Sequence, residues 1–300
     1  AMRAKRPLLP HPVPPTPGQF RIREVWAENL DEELAYIRVL IQHYTYVAMD
    51  TEFPGVVAHP IGQFKSTSDY NYQTLRCNVD LLRIIQLGLS FTDSEGNLPP
   101  ENTYTTWQFN FSFSLEKDTY AQDSIDLLTR SGIKFSMHEE HGIDVLRFGE
   151  VLTTSGIVLN DDVRWVSFHS GYDFGYLVKL LINKPLPVAE DDFFDLLRMY
   201  FPGIYDVKCI MQDIDYLKGG LNHLAETLQV ARIGPEHQAG SDSLLTAATF
   251  FKLKKEHFGG SMDDKRFLGI LYGFGSDEDG RNTSYYRNNP LPEGVKILGN

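Results

Sequence analysis

Cysteine is scarce in this chain of 300 residues, which has only Cys77 and Cys209, far apart and in no CxxC pair. This pattern excludes a disulfide framework and a cysteine-ligated zinc site, so we expect two buried free thiols. Long apolar runs are also missing: none approaches the ~20 residues of a membrane-spanning helix, and no secretion signal is recognisable. We therefore expect a globular protein inside the cell, in the cytoplasm, with the nucleus as an additional location.

Positive charge is in short supply as well. The chain has 28 Lys and Arg against 40 Asp and Glu, a formal net charge of -12. A protein that holds a long nucleic acid unaided usually carries a basic stripe, because phosphate neutralisation supplies much of the affinity. Bound divalent cations can reverse the sign locally. The composition therefore disfavours an unaided grip along a duplex, and it allows action on nucleic acid where bound cations reverse the local charge.

The composition divides the chain into three parts. Residues 1–22 are rich in proline, which predicts a disordered leader. Residues 274–300 are rich in Gly, Ser, Asp and Asn, which predicts a flexible tail. Residues 23–273 contain no internal repeat and no long linker, so we expect a single domain there.

The patterns in that domain predict an α/β fold with a mixed sheet flanked by helices. A first helix follows Asn29, which can cap it with Glu32 three residues on. Each of the first three predicted strands is either an apolar run or an alternation of apolar and polar residues. Their connections favour a three-strand antiparallel meander. After the meander, predicted helices and strands follow one another in turn. The predicted strands are 46–51, 81–91, 105–113, 163–168 and 205–211.

Asp50 and Glu52 close the first apolar strand. Side chains alternate along a strand, so both carboxylates point the same way at the edge of a core. They repel each other unless a proton or a cation holds them. Residues 31–33 form a similar acidic triplet, but they lie in the first turn of the predicted first helix. Acids there interact favourably with the helix dipole and need no cation.

Two further segments supply candidate groups. Asp173 falls on the apolar face of a predicted helix, where a charge is costly unless it is paired. Its alternative role is to cap that helix. His237 and Asp242 diverge by ~140° on a continuous helix, but they converge if the helix begins near Gly240, where a break is easy.

These four acids lie at strand ends or helix starts, which is where α/β sheets collect sites. Clustered carboxylates require cations, and hard oxygen ligands select Mg²⁺ or Mn²⁺. The number of acids suits two ions about 3.5–4 Å apart that share Asp50. One ion would orient a water and the other would stabilise the leaving oxygen, while His237 would take the proton. The predicted chemistry is phosphoryl transfer to water.

Three segments, 49–55, 168–177 and 237–246, resemble the three exonuclease motifs of the DEDD superfamily. Together with residues 76–89, 120–128 and 204–208 they are similar to the Caf/Pop poly(A) deadenylase subunit of the Ccr/Not complex, over about residues 25 to 275. The resemblance implies an RNase H-like fold and removal of 3′-terminal adenosines from mRNA, with release of 5′-AMP and dependence on two Mg²⁺ or Mn²⁺ ions.

The resemblance also assigns residues. Asp50, Glu52, Asp173 and Asp242 take the positions of the metal ligands, and His237 takes the base position of the histidine-type subclass. Next to them, Phe53, Pro54 and Gly55 are candidates to flank the terminal nucleotide, although packing explains Phe53 equally well.

The family further implies partners: a Not-type scaffold of helical repeats, a leucine-rich-repeat deadenylase subunit and antiproliferative adaptors. Two other interpretations stay open. One is an exonuclease that trims small RNAs or proofreads, and the other is a scaffold with a vestigial site. The intact set of acids disfavours the scaffold, because apolar groups would stabilise a purely structural core better.

Overall fold

The computed structural model describes residues 7–17, 20–274 and 293–298. The strands are β1 Ile22–Val25, β2 Tyr46–Glu52, β3 Gly62–Phe64, β4 Gln86–Thr92, β5 Thr106–Asn110, β6 Arg164–Ser167, β7 Ile204–Asp206 and β8 Val295–Ile297. The helices are α1 Leu30–Leu40, α2 Thr67–Leu81, α3 Gln122–Arg130, α4 Phe135–His141, α5 Val145–Thr153, α6 Gly171–Ile182, α7 Glu190–Tyr200, α8 Val207–Ile210, α9 Leu221–Thr227, α10 Ala239–His257 and α11 Asp264–Phe267. A 3₁₀ turn, Met211–Asp213, follows α8.

Six strands form the main sheet, in the order β1-β5-β4-β2-β6-β7. β2, β4 and β5 are mutually antiparallel neighbours, whereas β1, β6 and β7 each run parallel to the strand beside them. A separate pair of short parallel strands joins β3 to β8. The prediction of a mixed α/β sheet with a three-strand antiparallel meander is confirmed.

β5 is buried on both of its faces, although alternation of aromatic and polar residues such as it shows is typical of a half-buried strand. Trp107 and Phe109 enter the main hydrophobic core on one face. On the other face the Gln108 side chain contacts the start of α10, and the Asn110 amide donates to the Glu24 carboxylate. Polar residues occupy this face because each has a hydrogen-bond partner there, as buried polar groups require.

Several predicted element bounds were wrong. The strand predicted at 81–91 begins only at Gln86, because α2, which the patterns did not reveal, ends at Leu81. The strand predicted at 205–211 ends at Asp206, whose carboxylate accepts the Lys208 N–H and starts α8. The first helix begins at Leu30 as expected, but the Asn29 Oδ1 accepts from the Trp26 N–H and the predicted capping box is not formed among the described residues.

Part of the predicted leader packs onto the domain. His11 is 2% exposed, which a freely disordered segment would not show, because its ring lies against α1 and β5. Residues 1–6 and 18–19 of the leader, and 275–292 and 299–300 of the tail, lie outside the described residues. The three-part division of the chain therefore stays a proposal.

Both cysteines are free within the described part of the chain. Cys209 is buried as expected, but Cys77 is only half-buried, because it lies on the outer side of α2. Among residues 7–17, 20–274 and 293–298, no helix combines the length and the apolarity that crossing a bilayer would demand.

Candidate active site

The end of β2 forms one side of the candidate site. Asp50 and Glu52 lie on the same face of the strand, and both keep part of their surface open to solvent. β6 pairs with β2 only as far as Ala48, so the Thr51 N–H beyond it has no strand partner on that edge within the described residues. Asp173 supplies the missing acceptor: its Oδ1 accepts from Thr51 N at 3.0 Å and from Thr51 Oγ1 at 2.6 Å.

Asp173 projects from the first turn of α6 toward β2. Its carboxylate is 7% exposed, and the hydrogen bonds from Thr51 hold it against the strand end. The alternative that Asp173 serves only to cap α6 does not describe this arrangement. α6 follows β6 directly, so the parallel β2–β6 pair brings an acid from each segment to the same edge of the sheet.

The start of α10 forms the opposite side. α10 begins at Ala239, and His237 has a left-handed backbone with φ of 58° just before it. This left-handed residue before the helix directs the His237 ring toward Asp242. Potential ligand atoms of Glu52, His237 and Asp242 therefore all lie within 4.8 Å of one another. The expected convergence of His237 and Asp242 is therefore present.

Three residues of β4 and β5 hold the start of α10, and sequence reasoning missed all of them. The Gln108 Oε1 accepts from the Gly240 N–H at 2.7 Å, and the Gln86 Oε1 accepts from the Ala239 N–H at 3.3 Å. Gly88 pairs with Asp50 across the sheet, and a Cβ there would lie 1.9 Å from the Ala239 carbonyl oxygen. α10 can thus approach the strand only because residue 88 is glycine. The one available signal was a Gly inside a strand pattern.

The carboxylates strongly perturb one another. Burial, followed by the charges of Asp173, Asp242 and Glu52, raises the pKa of Asp50 well above its usual value. Burial and then Asp242 and Asp173 raise the pKa of Glu52 in the same way. Burial also raises the pKa of Asp173, to about 6. Without a cation the ionised set is therefore unfavourable.

Arg232 supplies one positive charge to this set, and the sequence analysis did not single it out. Its Nη1 lies 2.5 Å from the Asp242 Oδ1 and 2.9 Å from the Ser241 Oγ. Burial raises the pKa of Asp242, and the ion pair with Arg232 opposes that rise. Arg232 also donates to Asn222, which directs its guanidinium toward α10.

Phe53, Pro54 and Gly55 continue the chain away from Glu52. The Phe53 ring stacks on Tyr172, with centroids 5.3 Å apart and planes 13° apart. Pro54 is buried and its carbonyl accepts from the Ala121 N–H, and Gly55 has φ of 88° beside Ser124. Packing therefore accounts for all three positions, and a nucleotide-flanking role stays a prediction.

The fold defines the class of protein: an RNase H-like nuclease with a mixed sheet flanked by helices. The chain belongs to the CAF1 family of ribonucleases, whose model matches residues 25–150 and 157–250.

Individual relatives agree with this assignment. The chain is 54% identical over 255 residues to the poly(A) ribonuclease pop2 of Schizosaccharomyces pombe, covering 85% of this chain and 75% of that protein. It is similar to the structure of S. pombe Pop2p in its Mg²⁺- and Mn²⁺-bound form, with a TM-score of 0.82, 53% identity, and coverage of 85% of this chain and 100% of that one. It is also similar to yeast CAF1 co-crystallized with the NOT1 MIF4G domain, with a TM-score of 0.73, 37% identity, and coverage of 86% of this chain and 99% of that one.

Proposed function

We propose that this chain is a metal-dependent 3′ to 5′ exoribonuclease that shortens the poly(A) tails of mRNA and releases 5′-AMP. The observation that carries the proposal is the convergence of Asp50, Glu52, Asp173, Asp242 and His237 at one edge of the sheet. The family assignment supplies the reaction class, and the pop2 relative is a poly(A) ribonuclease.

The donor set fits divalent cations. It consists of carboxylate oxygens whose pKa values are raised by burial and by one another, so cations would relieve the repulsion. Carboxylate oxygens are the ligands that Mg²⁺ and Mn²⁺ favour, and the Pop2p structure is a form with both metals. Asp50, Glu52, Asp173 and Asp242 would hold two such ions. Bound there, the ions would supply Lewis acidity for attack of water on the terminal phosphodiester.

His237 is the proposed general base. It is 41% exposed, so its ring can reach both solvent and a substrate end. Its Nε2 lies 3.3 Å from the Glu236 carboxylate, which can orient the ring. Next to Glu52, the stacked Phe53 and Tyr172 rings would flank the departing nucleotide, with Pro54 and Gly55 shaping the wall.

We further propose a Not-type helical-repeat scaffold as a partner, which is supported by the similarity to CAF1 in its complex with NOT1. The family resemblance also suggests a leucine-rich-repeat deadenylase subunit and antiproliferative adaptors as partners, and a location in the cytoplasm with the nucleus in addition. Partners that deliver RNA would compensate for the net charge of -12, since the chain has an excess of acidic residues and cannot hold a long RNA by phosphate neutralisation alone.

A time course on RNAs with different homopolymer tails tests the activity. With Mg²⁺ or Mn²⁺ we expect stepwise loss of a 3′ poly(A) tail and release of AMP, and no reaction in EDTA. Asp50→Asn should abolish shortening, whereas Asp161→Asn, at an exposed acid away from the site, should retain it. Rapid loss of poly(U) and poly(C) with poly(A) spared would instead identify a trimming exonuclease. Full activity in EDTA would exclude the metal mechanism.

A further inference from the structure

Residues 9–13, upstream of the sheet, insert a single side chain into the domain. His11 is 2% exposed, whereas Pro10, Pro12 and Val13 are exposed. The segment therefore lies on the surface, and the His11 imidazole is the side chain that it buries. Prolines on both sides restrict the backbone of the segment before it docks, which reduces the entropy lost on binding.

Aromatic rings form the walls around His11. The ring centroid of His11 lies 4.6 Å from that of Tyr36 in α1, 5.1 Å from that of Tyr104 and 6.5 Å from that of Trp107 in β5. The Tyr36 and Tyr104 rings meet it edge to face. We call these three rings and Glu33 the histidine pocket.

Glu33 forms the floor of the histidine pocket. It is 0% exposed, and its Oε2 lies 2.8 Å from the His11 Nε2 and accepts from the Trp107 Nε1 at 2.8 Å. Arg23 donates to Oε1 at 2.6 Å. Burial alone would raise the pKa of Glu33, but the hydrogen bonds from His11, Trp107 and Arg23 lower it, so the floor is an ionised carboxylate. Such a floor accepts an N–H donor and repels an acidic side chain.

The backbone beside His11 is recognised as well. The Tyr36 hydroxyl donates to the Leu9 carbonyl oxygen at 3.0 Å, and its oxygen lies 2.7 Å from the Thr103 Oγ1. The His11 Nδ1 lies 2.7 Å from the Val13 carbonyl oxygen and 3.0 Å from the Val13 nitrogen, while Nε2 at the other end of the ring faces the Glu33 carboxylate. These contacts select a planar ring with a donor at its far end, in a segment that bends just after the histidine.

We propose that the histidine pocket is a peptide-binding site for a histidine flanked by prolines, occupied in this structure by the chain's own residues 9–13. A proline-flanked histidine segment of another chain can take the same place when the leader is released. The walls and floor belong to α1, β1, β5 and the segment that leads into β5, so they persist without the leader.

The histidine pocket is separate from the candidate active site. Trp107 and Gln108 are neighbours on β5 and point to opposite faces of the sheet. Gln108 reaches the start of α10, whereas Trp107 faces α1 and the pocket. Occupancy of the pocket can therefore be tested without disturbing Asp242 or His237, and a failure there leaves the proposed nuclease activity untouched.

The test uses the full-length chain and a fluorescent, end-capped peptide of residues 7–17. His11→Ala in the chain should release the leader, seen as faster hydrogen exchange in residues 7–17, and the released pocket should bind the peptide in an anisotropy titration. The wild type should bind it at least about tenfold more weakly, because its own leader competes at an effective concentration of about 1 mM.

Matched variants decide whether the pocket is specific. A peptide carrying His11→Ala should not bind, and a His11→Ala, Tyr36→Phe chain should bind the native peptide several-fold more weakly, since it loses the bond to Leu9. His59→Ala changes an exposed histidine elsewhere, and this variant should bind the peptide as weakly as the wild type does. Unchanged exchange in the His11→Ala chain, no peptide binding after release, or equal binding of both peptides would each overturn the proposal.

Discussion

Asp173 accepts two hydrogen bonds from Thr51, yet burial raises the pKa of its carboxyl to about 6. The folded pKa lies above the value of about 3.9 expected for an unfolded chain. Folding is therefore favoured when the group is protonated, and that stabilisation is lost as the pH rises from about 4 through about 6. The direction is opposite to that of an acid held in a simple ion pair.

Asp173→Asn removes this titration while keeping an oxygen that accepts from Thr51. In EDTA we expect the free energy of unfolding of the wild type, relative to Asp173→Asn, to fall as the pH rises from 4 to 6 and to level off above about 7. Urea unfolding at a series of pH values measures it. Parallel pH profiles for the two proteins would contradict the raised pKa.

His237 is the second residue with a distinct expectation. His237→Asn removes the proposed base but keeps a residue type that tolerates the left-handed backbone found there. We expect kcat to fall about 10²- to 10⁴-fold with little change in stability. Single-turnover kinetics on 3′-adenylated RNA measure the effect, and His59→Ala is the control at an exposed histidine. A variant with the wild-type kcat would assign the proton transfer to another group.

At the scale of elements, the start of α10 depends on strands that precede it by more than a hundred residues. The Gln108 side chain bridges three groups: its Oε1 accepts from Gly240 N, and its Nε2 donates to Glu24 and, at 3.3 Å, to Gln238. A strand side chain thus performs the task that an N-cap residue usually performs. The position of Asp242 follows from that contact.

Gln108→Ala leaves the buried Gly240 N–H without this acceptor. We expect a loss of about 1–3 kcal/mol in the free energy of unfolding. We also expect a lower kcat at temperatures where the variant remains folded, because the start of α10 carries Asp242 and His237. Urea unfolding and kinetics measure the two effects, with Gln122→Ala on the exposed face of α3 as the control. Loss of stability with an unchanged kcat would confine Gln108 to a structural role.

At the scale of the whole molecule, α6, α10 and β2 each contribute acid to one place, so cation binding couples these elements. A ligand that binds only the folded state stabilises it by about 2.7 kcal/mol at a hundred times its Kd. In a domain of about 150–250 residues, each kcal/mol raises Tm by about 2–4 °C.

Saturating Mg²⁺ or Mn²⁺ should accordingly raise the Tm of the wild type by about 5–10 °C at neutral pH. Asp50→Asn should start from a higher Tm in EDTA, because it removes one of four crowded carboxylates, and should gain less from either metal. Differential scanning calorimetry at constant ionic strength measures both. Equal gains for the two proteins would separate the metal effect from this site.

Much of this molecule could be predicted from local patterns. Apolar runs and alternation located the strands of the meander, and the start of α10 was expected within a residue or two of Ala239, although the left-handed residue before it is His237 and not the expected Gly240. The acids stood out because Asp50 and Glu52 follow a core strand and Asp173 falls on an apolar face. Such signals are local, since a strand or helix period relates residues only a few positions apart.

The sequence by itself determined the α/β class, the three-strand meander and which side chains carry the charge. Only the tertiary structure decided that Arg232 pairs with Asp242, that Gln86 and Gln108 hold α10, that Gly88 admits it, and that His11 enters a pocket floored by Glu33. Each of these contacts joins segments whose meeting depends on how strands are ordered and helices packed. No period or composition along one chain specifies that arrangement.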